Sequence, residues 1–109
     1  AEMYLIRAEA NARLNGNIND IKKDLNDIRH RAGLEDISAN SIDDLLSAIE
    51  KERRVELAFE GHRWFDLVRT DRAIDILPKV TQKYQYLFPI PQSELLANTN
   101  PGMVQNPGY

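Results

Sequence analysis

Apolar residues recur at helical spacing from the first residues of the chain. Between Ala1 and Leu14, the residues Tyr4, Leu5, Ala8 and Ala12 lie three, four and seven positions apart. This spacing places them on one side of a helix, and the small alanines allow a neighbouring helix to approach closely. The pattern predicts a first helix over residues 1–14.

A second helix is predicted after Gly16. Its apolar stripe consists of Ile18, Ile21, Leu25, Ile28 and Ala32. Asn17 or Asn19 can cap its start, and Gly33 suits a left-handed residue just beyond its end. Two helices with so short a connection pack antiparallel. Residues 1–34 therefore predict a helical hairpin that resembles one tetratricopeptide unit, although no second copy of the pattern follows.

Residues 41–70 predict further helices. Ser41 and Asp44 form a Ser-x-x-acid start signal. The predicted buried face contains Ile42, Leu45, Leu46 and Ile49, and it continues through Val55, Leu57 and Phe59. Gly61 marks a break or bend before residues 63–68. This region predicts one long helix followed by a shorter one.

The pattern changes at Leu77. Tyr84, Tyr86 and Phe88 alternate with other residues, which predicts a short extended segment. Pro91 can start a turn that runs to Leu96. Residues 77–109 are therefore expected to form an extended and irregular closing segment, and the fold class is mainly α.

Composition narrows the possible functions. The chain has 109 residues, a net charge of -3, interspersed charge signs and no cysteine. A nucleic-acid partner is not expected, because binding one would need a basic stripe. Disulfides and cysteine metal sites are excluded. No apolar run reaches the length of about 20 residues that a membrane-spanning helix needs.

Residues 49–67 combine dense alternating charge with large apolar side chains. Their signature residues are Glu52, Arg53, Arg54, Glu56, Phe59, Glu60, Gly61, His62, Arg63, Trp64 and Asp66. This run resembles the signature near the C-terminus of SusD/RagB-type proteins. A second match follows in order, from Leu87-Phe88-Pro89-Ile90-Pro91 to the final Gln105-Asn106-Pro107-Gly108-Tyr109.

The resemblance implies a fold and a function. It identifies residues 1–109 as the C-terminal portion of a SusD-like helical fold, in a non-enzymatic lipoprotein on the outer-membrane surface. Such proteins capture oligosaccharides or polysaccharides and deliver them to a SusC-like TonB-dependent transporter, with no cofactor. The lipid anchor lies outside these residues, as do most sugar-contacting loops, so the segment is expected to act mainly as scaffold.

The charged signature also admits other interpretations. Glu52 and Glu56 present the carboxylate pair of a glycoside hydrolase only if a cleft lies between them. His62 near Asp66 suggests an oriented base, and Glu60 beside His62 suggests a metal ligand, but no spaced ligand cluster accompanies them. Semi-buried ion pairs that fix helix packing explain the charges better, so we expect neither catalysis nor a metal.

Aromatic residues are the candidates for sugar contact. Trp64 lies among Phe59, Phe65 and Leu67, and this setting favours a core position over a ligand platform. Tyr84 and Tyr86 would share one face of an extended segment. They are either weak glycan-binding candidates or packing residues.

A different class of function stays open. The helical hairpin of residues 1–34 also fits a protein-docking module of the tetratricopeptide type. The lone helix pair, together with apolar surface that truncation of a longer chain would expose, motivates this interpretation.

Overall fold

The computed structural model describes all residues from Ala1 to Tyr109. Its helices are α1 (Glu2–Arg13), α2 (Ile18–Arg31), α3 (Ile42–Glu56), α4 (His62–Arg69), α5 (Ala73–Ile76) and α6 (Gln92–Ala97), with a 3₁₀ helix at Lys83–Tyr86. No strand forms, so the predicted mainly helical fold is confirmed. None of the helices combines the length and the hydropathy needed to cross a bilayer.

The chain forms two compact units, residues 1–63 and residues 64–109. The first unit contains α1, α2 and α3, and its buried core is Leu5, Ala8, Ala12, Ile21, Leu25, Ile28, Leu45, Ile49 and Leu57. These residues repeat at three- and four-residue intervals within each helix, so each helix presents one apolar face to the other two. Burial of these faces supplies most of the stabilisation of this unit.

The predicted capping residues have their expected roles. The Asn17 side chain accepts a hydrogen bond from the Asn19 amide at 2.8 Å at the start of α2. Ser41 Oγ accepts one from the Asp44 amide at 3.1 Å at the start of α3. Gly33 follows α2 with a φ of 73°, as predicted for a left-handed residue.

The hydrophobic pattern overestimates burial at four positions. Tyr4, Ala32, Val55 and Phe59 are exposed, although the pattern placed each on a buried stripe. At Phe59 the reason is a change of direction. The last turn of α3 ends at Glu56, and Leu57 is the last residue of that stretch to enter the core.

Backbone geometry separates α3 from α4. Phe59 has a φ of 67° and Gly61 a φ of 81°, both in the left-handed region. A helix cannot continue through such residues, so the bend predicted at Gly61 occurs over residues 57–61.

The second unit corrects the prediction of an extended segment at residues 84–88. Lys83–Tyr86 is a 3₁₀ helix. Gln85 Oε1 accepts hydrogen bonds from the amides of Thr81 and Gln82, at 2.7 and 2.9 Å. These local bonds close a turn that the alternation of aromatic residues did not reveal, since a side chain that bonds nearby amides competes with extended structure.

Candidate functional site

Two ion pairs join α2 to the signature helix α3. Arg29 NH1 lies 3.2 Å from Glu52 Oε2, and Arg31 binds the Glu56 carboxylate through NH2. The Glu52 side chain is only 11% exposed, and that of Glu56 is 19% exposed. Arg29 also donates from Nε to the Glu35 carbonyl at 2.8 Å. The two glutamates are therefore held by separate arginines of the neighbouring helix.

This arrangement bears directly on the carboxylate pair considered for glycoside hydrolysis. Glycosidase chemistry needs both carboxyl groups to face the same scissile bond. Here each carboxylate is directed at its own guanidinium instead. The geometry is that of interhelical clamps, in which charge fixes the way α2 and α3 pack.

The residues after α3 form a further charged group. Arg63 NH1 lies 3.1 Å from Glu50 Oε1, which fastens the start of α4 to α3. His62 Nδ1 lies 3.7 Å from Glu2 Oε1, and His62 Nε2 lies 3.9 Å from Glu60 Oε2. Both His62 distances exceed hydrogen-bond length. No three histidine or carboxylate side chains converge in a way that suits a metal ion.

Asp66 forms an ion pair with Arg69 of the same helix. Its carboxylate is buried and accepts a hydrogen bond from Arg69 Nε at 2.9 Å, within α4. Its carbonyl accepts one from Thr70 Oγ1 at 2.7 Å. Asp66 therefore organises the C-terminal turn of α4.

Trp64 corrects the prediction of a core position. The residue is only half-buried, and its ring centroid lies 5.8 Å from that of Phe88 at a tilt of 40°. Phe65 and Phe88 are exposed, whereas Leu67 is buried. Trp64 thus belongs to a partly open aromatic pair within the second unit.

Tyr84 and Tyr86 do not share a face as a strand would require. The Tyr84 ring stands edge-on to the Tyr109 ring, with centroids 5.1 Å apart and planes at 90°. Tyr86 uses its hydroxyl to accept a hydrogen bond from the Ile74 amide at 3.4 Å. Each ring is thus engaged with the second unit itself.

The two parts of the closing motif are bonded to each other. Gln105 donates from Nε2 to the Ile90 carbonyl at 2.9 Å and accepts from the Ile90 amide at 2.7 Å. Asn106 Nδ2 donates to the Phe88 carbonyl at 2.7 Å. The Tyr109 hydroxyl donates to the Leu87 carbonyl at 2.8 Å. We call the set Gln105, Asn106, Gly108 and Tyr109 the closing latch.

Gly108 has a steric role in this latch. Its φ is 98°, and an added Cβ would stand 2.4 Å from Tyr84 Cγ. Only a residue without a side chain allows the backbone to lie so close to the ring. The latch thus explains why Gly108 and Tyr109 belong to one motif with residues 87–91.

An exposed ion pair lies beside the 3₁₀ helix. Lys83 Nζ is 2.6 Å from Asp71 Oδ2. This hydrogen bond lowers the pKa of the Asp71 carboxyl and raises the pKa of the Lys83 ammonium from their usual values. The pair ties the loop after α4 to the 3₁₀ helix.

Sequence reasoning missed several partners of the signature residues. Arg29 and Arg31 were not singled out, although a basic last turn of α2 was visible as Arg29-His30-Arg31. Gln105 was noted only as part of a motif. Gln105 makes two hydrogen bonds with Ile90, and neither spacing nor periodicity indicates them, because the two residues are 15 positions apart.

One cavity of about 360 Å³ opens on the first unit. Its lining consists of Ala1, Tyr4, Asp27, Ile28 and Arg31. None of the sequence-predicted glycan candidates lies in it.

Comparison with known proteins agrees with both motifs. The sequence model of the SusD family matches residues 1–76 and 71–109, which together span the chain. The chain belongs to the SusD family. This confirms the resemblance drawn from the signature helix and the closing motif.

Two relatives from Formosa agariphila align over the whole chain. SusD-like protein P2 is 33% identical and SusD-like protein P38 is 32% identical. The aligned region is 25% and 23% of their own lengths. The chain therefore spans about a quarter of these SusD-like relatives.

Two solved structures share the fold. A SusD-like protein from Bacteroides fragilis superposes with a TM-score of 0.83 at 29% identity, covering 99% of this chain and 24% of that one. A laminarin-binding SusD-like protein superposes with a TM-score of 0.80 at 40% identity, covering 99% of this chain and 22% of that one. The helical architecture of this chain is thus shared with solved structures of SusD-like proteins.

Proposed function

We propose that this chain is the scaffold portion of a cell-surface glycan-binding lipoprotein of the SusD family. Such a protein captures oligosaccharides or polysaccharides and hands them to a TonB-dependent transporter of the SusC type in the outer membrane. The observation that carries the proposal is the likeness to a laminarin-binding SusD-like protein at 40% identity over 99% of this chain. Laminarin is therefore the first ligand to test.

The scaffold role is supported by how the motif residues are used. Glu52, Glu56 and Arg63 bind partners within the first unit, and Gln105 and Tyr109 bind backbone groups within the second. Polar groups that are committed to internal bonds are less available to sugar hydroxyls. These residues fix the positions of helices and loops, as expected of a scaffold.

The interpretation as an enzyme has little support in the same contacts. One solved SusD-like relative is described as laminarin-binding, and the two glutamates of α3 are separately paired with arginines. We propose a non-enzymatic role for the chain.

A chimera tests the scaffold role. In it, these 109 residues replace the matching 22% of the laminarin-binding SusD-like protein. Laminarin is titrated calorimetrically into the free chain, the chimera and the unaltered relative. We expect the chimera to bind within about threefold of the relative and the free chain not to bind, because the sugar contacts come from the remainder.

Two results would argue against this proposal. Binding by the free chain would place sugar contacts within these residues. A folded chimera that loses binding would do the same, and in that case the residues that the relative has at the positions of Tyr84 and Tyr86 are introduced into the chimera one at a time.

A protein-docking module is the second candidate. The observation that favours it is the exposure of large apolar side chains on α1, among them Met3 and Ile6. Tandem copies of the 1–34 pattern in a longer chain would support this candidate, because a tetratricopeptide array needs at least three stacked repeats.

A further inference from the structure

The connection between α1 and α2 contains the dipeptide Asn15-Gly16. Asn15 is the only asparagine of the chain that is followed by a glycine. A glycine has no side chain beside its backbone nitrogen, and its backbone accepts conformations that other residues avoid. The backbone nitrogen of Gly16 is therefore the one that can approach a preceding asparagine amide with the least hindrance in this chain.

Asn15 is exposed and has a φ of 53°, in the left-handed region. Asn17 lies in the same connection and is exposed as well, but its surroundings differ. The Asn17 side chain accepts a hydrogen bond from the Asn19 amide at 2.8 Å. The residue after Asn17 is Ile18, whose branched side chain crowds the backbone nitrogen beside it. Asn17 is thus an internal reference for Asn15.

We propose that Asn15 is a site of spontaneous deamidation. The Gly16 nitrogen loses its proton to water or hydroxide and bonds to Asn15 Cγ, the Cγ–Nδ2 bond breaks, and Nδ2 leaves as ammonia. The product is a five-membered succinimide. Water opens this ring at the side-chain carbonyl to give aspartate, or at the main-chain carbonyl to give isoaspartate. Water is the only co-reactant, and no group is oxidised or reduced.

The folded chain restrains this reaction through one hydrogen bond. The Gly16 amide donates to the Asn11 carbonyl at 2.8 Å, which keeps the proton on the attacking nitrogen. The neighbouring Asn15 amide donates to the Ala12 carbonyl at 3.0 Å. The last turn of α1 must therefore open before the nitrogen can attack. Helix ends open more readily than helix centres, so the reaction proceeds from a locally open state.

Both products weaken the connection between α1 and α2. Each places a new carboxylate just beyond the C-terminal end of α1, where the free helix carbonyls already carry partial negative charge. Isoaspartate also adds one carbon to the backbone of the connection. This inference goes beyond the proposed function and does not depend on glycan binding.

Ageing the chain tests the proposal. Samples are kept in a mildly alkaline buffer, either folded or unfolded in urea, and tandem mass spectrometry of their peptides locates each deamidation. We expect Asn15 in the folded chain to react at least about tenfold faster than Asn17. The slowing of Asn15 by folding should agree within about threefold with the slowing of hydrogen exchange at the Gly16 amide. Equal rates at the two asparagines, or a disagreement with exchange, would overturn the proposal.

Two glycine variants separate local from global opening. Ala10 is exposed, and its carbonyl accepts a hydrogen bond from the Leu14 amide in the last turn of α1. Ala10→Gly should speed deamidation of Asn15 about fivefold, because glycine lowers helix stability there. Lys51→Gly is the matched control, since Lys51 is exposed within α3, and it should leave the rate within about twofold. Equal acceleration in both variants would overturn the local route.

The Asn15→Asp variant tests the effect of the product. Thermal unfolding followed by circular dichroism should show a melting temperature a few degrees lower than that of the unaltered chain, because the new charge lies at the C-terminal end of α1. Asn15→Gln, which adds no charge, is the control. A melting temperature of Asn15→Asp that equals or exceeds that of Asn15→Gln would overturn the inference that deamidation weakens this connection.

Discussion

Arg29 NH1 lies 3.2 Å from Glu52 Oε2, and this contact joins the last turn of α2 to the signature helix α3. Glu52 is buried, whereas the Arg29 side chain keeps 24% exposure. The pair thus fixes helix packing at the edge of the core, at the position where the family signature begins.

Removal of the Glu52 side chain should destabilise the fold. We expect Glu52→Ala to lower the free energy of unfolding by about 1–3 kcal/mol, because a partly buried guanidinium loses its charged hydrogen-bond partner. Urea denaturation followed by circular dichroism measures this. The matched control is Asp27→Ala, which breaks the exposed Lys23–Asp27 pair at 3.0 Å and should cost no more than about 0.5 kcal/mol. Equal losses in the two variants would show that Glu52 is not a clamp.

Phe59 should be replaceable with a gain in stability. It is fully exposed and has a φ of 67°, a conformation that bulky residues rarely adopt. We expect Phe59→Asn to raise the free energy of unfolding by about 1 kcal/mol, because asparagine tolerates the left-handed region.

Val55→Asn is the control for this gain, since Val55 is also exposed but lies within α3. The free energy of unfolding of the Val55→Asn variant should be unchanged or lower by about a few tenths of a kcal/mol. A loss of stability in Phe59→Asn would show that the exposed ring makes a stabilising contact, contrary to this expectation.

Gly108→Ala should open the closing latch. The new Cβ would meet the Tyr84 ring at 2.4 Å, and the φ of 98° is unfavourable for alanine. We expect loss of the Tyr84–Tyr109 contact and a cost of about 1–3 kcal/mol for the local structure. Nuclear Overhauser effects between the two rings and amide exchange at Ile90 report the change.

Gly102→Ala is the matched control for the latch. It lies in the same closing segment, and its nearest neighbour to an added Cβ is Asn100 Oδ1 at 3.3 Å. Ring contacts that survive in both variants would mean that Gly108 has no special role.

The Asp71–Lys83 pair predicts a pH dependence. The hydrogen bond from Lys83 lowers the folded-state pKa of Asp71. A carboxyl with a lowered pKa stabilises the fold above its unfolded pKa of about 3.9, and this contribution is lost as the pH falls through the folded value. We expect Lys83→Gln to return the pKa of Asp71 toward its usual value, as measured by carbon-13 NMR titration. An unshifted titration curve would contradict the pairing.

Much of the fold follows from local sequence. Asn17 and Ser41 cap their helices through side chains that reach amides two or three residues away. Gly33 ends α2 because its backbone accepts a positive φ. The family, too, was visible in the signature helix and the closing motif. All of these depend on residues that are near one another in the chain.

Other features were decided by tertiary structure. The partners of Glu52 and Glu56 are 23 and 25 residues away, and spacing along α3 contains no information about them. The two glycan-binding candidates, Tyr84 and Tyr86, lie in a 3₁₀ turn that the Gln85 side chain closes, and not in an extended segment. Gly108 packs on the Tyr84 ring.

The sequence by itself determined that the chain is helical, where α1, α2 and α3 lie, and to which family the chain belongs. Only the tertiary structure decided which apolar residues enter the core and which remain exposed. Met3 and Leu5 are both apolar members of α1, yet Leu5 is fully buried and Met3 is open. Periodicity identifies a face of a helix, but burial depends on whether another element packs against that face.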